Sequence, residues 1–573
     1  MNKKVAFPER LSLAWIRKMY SENILTPLDV VEEIIKRNGN YADYNIWIVE
    51  PSLDLIAPYL RLLEKKDPSL PLWGVPFAIK DNIDLEGILT TAACPDYAYV
   101  PKDSATVVRK LMEAGAIPIG KTNLDQFATG LVGTRSPYGE CHNALNPDMI
   151  SGGSSSGSAV SVALGLAVFA LGTDTAGSGR VPAMLNNLVG YKPPVGSWSS
   201  KGVVPACASL DCVTVFAGNM EDAKVVDQVA RGYDEECPWS RELERKPDQV
   251  PEKIFLPKEE PVFFGDWESE YRTKWVNSIK RIERIAKNKG IVVEYIDYKM
   301  FHDAALILYE GAYVAERWEA LKDFVETHPG GTFPVTEEIL RSGAKSGQTA
   351  VKLFKNLHEL QEYRHKAHRL LRDAVMIMPT AGGSYTRTQV REDPIATNSR
   401  MGLYTNHCNL LDLTAIAIPE NTRDRVRPFG ITVFGRYDRE DLVRGFAEMF
   451  LEEETTPLAV CGLHKKGREL DYQLYELGAD YVESTVTAPC YQLYELSTVP
   501  VKPGLVRVTK SGGPIEVDLY DIPSKMLGVF MSRVTEPLVI GDIELEDGRI
   551  VKGFLCQQYA VTGAKNITEK GSF

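Results

Sequence analysis

The chain has 573 residues, more than one hydrophobic core usually accommodates, so at least two domains are expected. Its hydrophobic fraction of 44% and charged fraction of 25% are those of an ordinary globular protein. Because 65 basic residues face 77 acidic ones, for a formal net charge of −12, the composition argues against nucleic-acid and anionic-membrane partners.

Three features of the sequence favour a cytoplasmic protein. No apolar block of signal-peptide length follows the N-terminal lysines. Uncharged apolar residues nowhere run on for the roughly 18 positions that a spanning helix needs. The nine cysteines are scattered, odd in number and without CxxC spacing, which is typical of reduced thiols rather than of a disulfide framework.

Helical and strand-like patterns alternate along the first two fifths of the chain. Apolar residues recur at three- and four-residue intervals over 11–38 and 105–114, which predicts helices. Short apolar runs at 73–79 and 116–120 predict buried strands, and the alternation predicts an α/β core with its sheet between helices. The polar, proline-containing stretch 234–261 is expected to be an exposed excursion. Further helices are predicted over 223–232, 267–289, 304–327, 350–374 and 439–453.

The pattern changes near 452–457, where the sequence reads EEETTP. Beyond it, apolar runs are short and turn residues separate them every 8–12 positions, which is typical of a mostly β module. We therefore predict two domains, one over 1–450 and a small β-rich one over 456–573.

The richest chemistry lies in 151–180, SGGSSSGSAVSVALGLAVFALGTDTAGSGR. A flexible Gly/Ser linker is a poor interpretation, because helix-like and strand-like runs follow directly. A phosphate-binding loop lacks its GxxxxGK[ST] signature, and the GxSxG elbow of α/β-hydrolases is missing around Ser178. Two loops of small residues remain, in which glycines let backbone N–H groups approach a reacting oxygen.

A serine nucleophile needs a base, and no histidine stands in a recognisable triad context. A lysine can serve if burial lowers its pKa from the usual value of about 10.4. Lys80, at the end of the predicted strand GVPFAI, is such a candidate, although composition alone would make it an ordinary solvated charge.

Three blocks, GVPFAIKDNID, SGGSSSGSA and GTDTAGSGR, resemble the amidase-signature hydrolases in content, order and spacing over about residues 10–435. The resemblance implies a mixed β-sheet sandwiched by helices and a Ser–cis-Ser–Lys set. In this set Ser178 is the nucleophile, Ser154 the bridging serine after a cis peptide bond, and Lys80 the base. The resemblance also implies an oxyanion hole. It would be formed by the backbone N–H groups of Thr175, Ala176 and Gly177.

Further segments resemble the allophanate hydrolase branch of that family. They are TDTAGSGRVPA, GVVPACASLDC, YEGAYVAER and NHCNLLDLTAIAIP. In this branch Tyr309 and Arg317 would bind the substrate's carboxylate, and their spacing of eight on a predicted helix would place them on one face. A planar guanidinium suits a carboxylate, whereas without the resemblance Arg317 would be an ordinary surface arginine.

The C-terminal domain resembles γ-glutamylcyclotransferase-like β modules. In some relatives it is credited with decarboxylating the first product, which makes His464 the candidate residue. The segment around it, HKKGRELDYQL, departs from the pattern of those relatives. An assembly module that binds partners is the alternative interpretation of this domain.

The resemblance as a whole implies hydrolysis of allophanate (urea-1-carboxylate) to ammonia and carbon dioxide or bicarbonate, in urea or cyanuric acid nitrogen catabolism. No metal and no organic cofactor are expected. A homodimer is expected, with urea carboxylase or other enzymes of the pathway as partners. Another small-amide amidase, or a glutaminase-type transamidation subunit, is the alternative function.

Overall fold

A computed structural model describes residues 5–345, 347–421, 424 and 426–573. The chain divides into two compact units, Met1–Leu451 and Glu452–Phe573, and each is described by itself. All nine cysteines are free thiols. In the described part of the chain, no helix is long and apolar enough to cross a membrane.

The first unit contains one large sheet surrounded by helices. Its strands are β1 (Trp47–Val49), β2 (Pro76–Lys80), β3 (Ile117–Thr122), β4 (Phe169–Asp174), β5 (Val189–Lys192), β6 (Cys212–Ala217), β7 (Lys253–Pro257), β8 (Val292–Ile296), β9 (Ala374–Pro379), β10 (Leu413–Pro419) and β11 (Gly430–Arg436). Its helices are α1 (Leu13–Ser21), α2 (Pro27–Asn38), α3 (Leu53–Leu63), α4 (Thr106–Glu113), α5 (Ser156–Ala163), α6 (Val181–Leu185), α7 (Met220–Ala230), α8 (Glu268–Lys289), α9 (Lys299–Leu306), α10 (Val314–Thr327), α11 (Pro334–Ser342), α12 (Ala350–Leu370), α13 (Arg387–Glu392), α14 (Ala396–Met401), α15 (His407–Leu410) and α16 (Glu440–Glu452).

The sheet of the first unit is mixed. Among the described residues its eleven strands run in the order β1-β3-β2-β4-β6-β5-β10-β11-β9-β7-β8. β2 pairs parallel with β3 and with β4, and β7 pairs parallel with β8 and β9. Strands β2 to β6 are buried along their whole lengths, as expected for a sheet covered on both faces. The predicted α/β fold with a mixed sheet between helices is confirmed.

The elements observed over 11–38 and 234–261 differ from the predicted ones. The helical pattern over 11–38 is two helices, because Thr26 caps α2 in a capping box with Asp29, and Pro27, which has no N–H to donate, starts the second helix. The stretch 234–261 is not simply an exposed excursion, because it contains β7, which lies in the sheet with four of its five residues buried. The apolar run of this strand, IFLP, is short and lies between charged residues, so the sequence pattern did not indicate a strand.

The second unit is a small, mostly β domain. Its strands are β12 (Thr455–Val460), β13 (Asp480–Val486), β14 (Tyr491–Leu496), β15 (Lys502–Arg507), β16 (Glu516–Pro523), β17 (Leu538–Glu544), β18 (Ile550–Cys556) and β19 (Lys565–Asn566), and its helices are α17 (Tyr472–Glu476) and α18 (Ser524–Ser532). Five strands form one sheet in the order β13-β16-β12-β18-β17, and β15-β14-β19 form another. The prediction of a small β-rich C-terminal domain is confirmed.

Candidate active site

Strand β2, an interior strand of the sheet, ends at Lys80, the candidate base. This side chain is fully buried. Its Nζ lies 2.7 Å from Oγ of Ser154 and 2.6 Å from Oγ1 of Thr173, a residue of the neighbouring strand β4. The structure therefore brings Lys80 and Ser154 together, although 74 positions separate them in the sequence, and adds Thr173, which sequence reasoning missed.

Ser154 lies in the loop that leads into α5. The Gly153–Ser154 peptide bond is cis, as the resemblance implied. The backbone carbonyl of Ser154 accepts a hydrogen bond of 3.0 Å from the N–H of Asp125. A Cβ on Gly153 would come within 1.9 Å of Oδ2 of Asp125, so a glycine is needed for this carboxylate to pack against the loop.

Burial dominates the electrostatics of the base. Removal from water lowers the pKa of Lys80 from its usual 10.5 to about 7, because the charged ammonium loses its hydration. The carboxylates of Asp125, Asp211 and Asp174 act against this shift and keep the pKa from falling further. Near neutral pH a large fraction of Lys80 is therefore the free amine, which can accept a proton.

The loop that follows β4 carries Ser178. It is braced by Asp174, whose carboxylate binds the guanidinium of Arg180 with both oxygens at 2.9 Å and accepts the N–H of Gly179 at 3.0 Å. Ser178 is 4% exposed, and its Oγ lies 3.4 Å from the carbonyl of Gly130. Asp174 and Arg180 therefore hold the loop.

The three predicted oxyanion residues lie in the same loop. Gly177 has φ +140°, and a Cβ there would come within 2.3 Å of Oγ1 of Thr405, so this position needs glycine. The N–H of Gly177 donates to Oδ1 of Asp174 at 2.8 Å, while the hydroxyl of Thr175 donates to Asp211. Because the Gly177 amide is already bonded, Thr175 and Ala176 are the better candidates for binding an oxyanion.

Asp125 organises a segment that sequence reasoning missed. Its Oδ2 accepts the N–H groups of Val132 at 3.2 Å and Gly133 at 3.0 Å, and its Oδ1 accepts that of Arg135 at 2.9 Å. Three amide donors are a favourable environment for a buried carboxylate. The stretch NLDQFATGLVGTR, which lies between the lysine and serine blocks, was the available signal.

The same segment contacts both remaining parts of the site. Gly130 faces Ser178 through its carbonyl, and Thr129 accepts a hydrogen bond of 3.0 Å from Nη1 of Arg317 through its hydroxyl. Arg135 donates to the carbonyl of Thr129 at 3.0 Å, and its pKa is lowered by burial, with the positive charge of Arg317 adding to the effect. Two buried guanidiniums therefore flank Thr129.

Tyr309 and Arg317 meet, but not in the way that helical spacing predicts. The predicted helix over 304–327 is interrupted, and Tyr309 lies in the turn between α9 and α10. The interruption is stabilised by the side chain of Asn356, which accepts the N–H of Ala312 at 2.9 Å. Arg317 is buried, with 2% of its surface exposed. Its guanidinium carbon lies 5.5 Å from the centre of the Tyr309 ring. The prediction that Tyr309 and Arg317 share a helix face is wrong, but the two side chains do lie next to each other.

His464 belongs to the second unit. Its Nε2 lies 3.2 Å from Oε1 of Gln473, and its ring stacks on Phe554 at 5.2 Å. Burial lowers its pKa below the usual 6.5. It lines a pocket of about 610 Å³, counted with its open mouth, and Lys502 and Arg533 line the same pocket.

Among the described residues, no three histidine, cysteine, aspartate or glutamate side chains are grouped so as to hold a metal ion.

Two known families match different parts of this chain. Residues 29–443 match the family described as Amidase, and residues 456–573 match the Allophanate hydrolase C-terminal domain. The chain therefore belongs to the amidase family, and the resemblance to its allophanate hydrolase branch is confirmed.

Individual relatives are similar over different shares of their length. Urea amidolyase of Saccharomyces cerevisiae is 40% identical over 98% of this chain, which covers 32% of that protein. The structure of Kluyveromyces lactis allophanate hydrolase is 38% identical, with a TM-score of 0.70 and 98% of each chain covered. A glutamyl-tRNA(Gln) amidotransferase subunit of Halothermothrix orenii is 30% identical over 74% of this chain and 93% of that protein. The chain thus spans about a third of the urea amidolyases that it matches.

Proposed function

We propose that this chain hydrolyses allophanate at a Ser178–Ser154–Lys80 set in residues 1–450. The observation that carries the proposal is the 2.7 Å contact between Nζ of fully buried Lys80 and Oγ of Ser154. A lysine held this way, with its pKa lowered by burial to about 7, is suited to accept a proton from a serine.

In the proposed reaction the neutral amine of Lys80 takes the proton of Ser154 while Ser154 takes that of Ser178. Oγ of Ser178 attacks the carbon of the terminal carbamoyl group, and the same relay returns a proton to the nitrogen, which leaves as ammonia. Water then attacks the acyl-enzyme and releases imidodicarboxylate, NH(COO⁻)₂. With uptake of two protons, imidodicarboxylate then loses two molecules of carbon dioxide and leaves the second ammonia.

The oxyanion that forms on the attacked carbonyl needs donors already in place. We assign this role to the loop of Thr175, Ala176 and Gly177. The first two supply the amides, because the Gly177 amide binds Asp174. The buried contact between Asp174 and Arg180 fixes the loop before substrate arrives.

The carboxylate of allophanate is assigned to Arg317, with Tyr309 beside it. Support comes from the burial of the guanidinium, and within the described structure its Nε has no hydrogen-bond partner. A buried cation with a free donor is suited to an anionic group of a substrate. The neighbouring guanidinium of Arg135 strengthens the positive potential there.

The test is a substrate panel with the intact chain. Ammonia release is measured from allophanate, glutamine, malonamide and an aryl amide at matched concentrations. Preference for allophanate supports the proposal. Preference for glutamine would instead support the alternative of a transamidation subunit, which the similarity to the H. orenii protein favours.

We also propose a second activity in residues 456–573, where the pocket of His464 would take up imidodicarboxylate and promote its decarboxylation. The positive side chains of Lys502 and Arg533 in the lining support binding of a dianion. The proposal is tested by following imidodicarboxylate by ¹³C NMR as the intact chain consumes labelled allophanate. If the intermediate is lost no faster than in buffer, the domain is an assembly module.

We propose a homodimer in the cytoplasm that receives allophanate from a urea carboxylase. The chain matches only about a third of the urea amidolyases, which leaves the rest of those proteins for other functions. Mass measurement in solution tests the dimer.

A further inference from the structure

The loop of residues 206–211, which precedes β6, is bound at one end to the candidate oxyanion loop. Oδ2 of Asp211 accepts the N–H groups of Ala206 at 2.7 Å and of Cys207 at 3.1 Å, which closes the loop on itself. Oδ1 of the same carboxylate accepts the hydroxyl of Thr175. Asp211 is 7% exposed, and burial raises its pKa.

The other end of this loop is bound to α10. Glu316 accepts the N–H of Ser209 at 2.8 Å with Oε1, and with Oε2 it accepts the hydroxyl of Ser209 at 2.7 Å and the thiol of Cys207 at 3.0 Å. Glu316 directly precedes Arg317, the candidate ligand of the substrate carboxylate. One short loop therefore joins the residue beside Arg317 to the residue that begins the oxyanion loop.

We propose that residues 206–211 keep the carboxylate-binding arginine and the oxyanion loop in register, with Glu316 and Asp211 as positioning residues. The inference rests on the proposed function, since it presupposes a substrate with both a carboxylate and a scissile amide. Such a substrate is held at two points, so an error in their separation misplaces the carbonyl carbon relative to Ser178.

Both positioning residues are carboxylates, which suits the task. A carboxylate accepts several hydrogen bonds at once and offers no donor that would compete with the loop's own amides. An error of about 1 Å in the placement of a reacting group can slow a reaction by about a hundredfold. Substitution of the two residues should have different effects on the rate. Asp211 contacts the oxyanion loop itself through Thr175, whereas Glu316, on α10, contacts only the loop of residues 206–211.

The experiment compares allophanate with biuret, in which an uncharged amide replaces the carboxylate. Glu316→Ala should lower kcat for allophanate by about ten- to a hundredfold while KM stays within about threefold, because Arg317 remains. Biuret hydrolysis should stay within about twofold, because biuret offers no carboxylate to be held in register. Asp211→Ala should slow both substrates, and Asp211→Asn should recover most of that loss, since its amide can still accept the loop's N–H groups and donate to Thr175.

A double-mutant cycle separates coupling from a general disturbance. In an Arg317→Ala background, Glu316→Ala should change kcat for allophanate by no more than about twofold, whereas independent effects would multiply. Glu319→Ala on the exposed side of α10 is the matched control and should behave as wild type. If Glu316→Ala does not fold, Ser209→Ala removes only the hydroxyl contact and should give the same pattern at about threefold.

The outcomes are distinct. Equal losses on allophanate and biuret in Glu316→Ala, or effects of Glu316→Ala and Arg317→Ala that multiply, overturn the coupling. A KM rise without a kcat loss in Glu316→Ala overturns it as well. A wild-type chain that releases no ammonia from allophanate overturns the proposed function before any loop variant is compared.

Discussion

The candidate site of the first unit and the pocket of the second unit differ in how their side chains are held. Around Lys80 each side chain is buried and has fixed polar partners on neighbouring strands and loops. Around His464 one polar partner, Gln473, is combined with packing against aromatic rings in an open pocket. We expect release of the first ammonia to fail when a member of the first arrangement is removed and to tolerate changes in the second, so substitutions should separate the two regions.

The largest effect is expected from Ser178→Ala. Removal of one member of a cooperating nucleophile and base typically lowers the rate by several orders of magnitude. Ammonia release from allophanate should fall to that extent while circular dichroism and Tm stay near wild type. Ser161→Ala, a buried serine of α5 whose hydroxyl bonds within its own helix, is the control and should remain active. A Ser178→Ala variant with more than about a tenth of the wild-type rate would contradict the assignment.

The second prediction concerns pH and Lys80. Only the free amine accepts a proton, and burial lowers the pKa of Lys80 to about 7. Therefore kcat/KM should be low and rise with pH below 7, and reach a plateau above it. Lys80→Met, which keeps the side-chain volume, should lose most activity together with this ionisation. If the Lys80→Met variant stayed active and its kcat/KM still rose with pH below 7, another group would be the base.

A third and smaller effect is expected from Arg317→Ala. Truncating a buried charged partner commonly costs about 2–5 kcal/mol, which is some tens- to thousandsfold in kcat/KM. Allophanate should show this loss, partly in KM and partly in kcat because positioning suffers as well, and biuret much less. Arg317→Lys should rescue poorly, because an ammonium lacks the planar fork. Equal losses on both substrates would mean that Arg317 is structural.

The smallest effect on the first reaction is expected from His464→Ala. The first ammonia should be released within about twofold of the wild-type rate, because His464 belongs to a unit that carries none of the proposed triad. Imidodicarboxylate should accumulate in ¹³C spectra. His365→Ala, an exposed histidine of α12, is the matched control. If His464→Ala slowed the first step as much as Arg317→Ala does, the two regions would not be independent.

The sequence predicts the parts of the site whose residue types are unusual in their context. Lys80 at the end of an apolar strand and the serines in glycine-rich loops are such residues. The α/β core followed from the alternation of patterns, whereas the mixed sheet was implied by the resemblance. The catalytic roles of Lys80 and Ser154 were implied by the resemblance, and their contact was seen only in the structure.

The parts that sequence reasoning missed are those whose partners are distant along the chain. Thr173 is an ordinary strand residue until β4 is placed beside β2. Asp125 and Asp211 are ordinary loop acids until they receive backbone amides and the hydroxyl of Thr175. The break before α10 was missed for a related reason, because helical periodicity does not report that Asn356 captures an N–H in the turn.

The position of Lys80 on an interior strand has a consequence for amide hydrogen exchange. β2 is bonded to β3 on one side and to β4 on the other, so the strand cannot open without disrupting both neighbours. Amides of such strands exchange only through the rarest and largest openings. Deuterium uptake in β2 should therefore be among the slowest in the first unit, and heating should not produce a folded form that has lost only its base. Loss of the amine's position and loss of the native sheet should be one event.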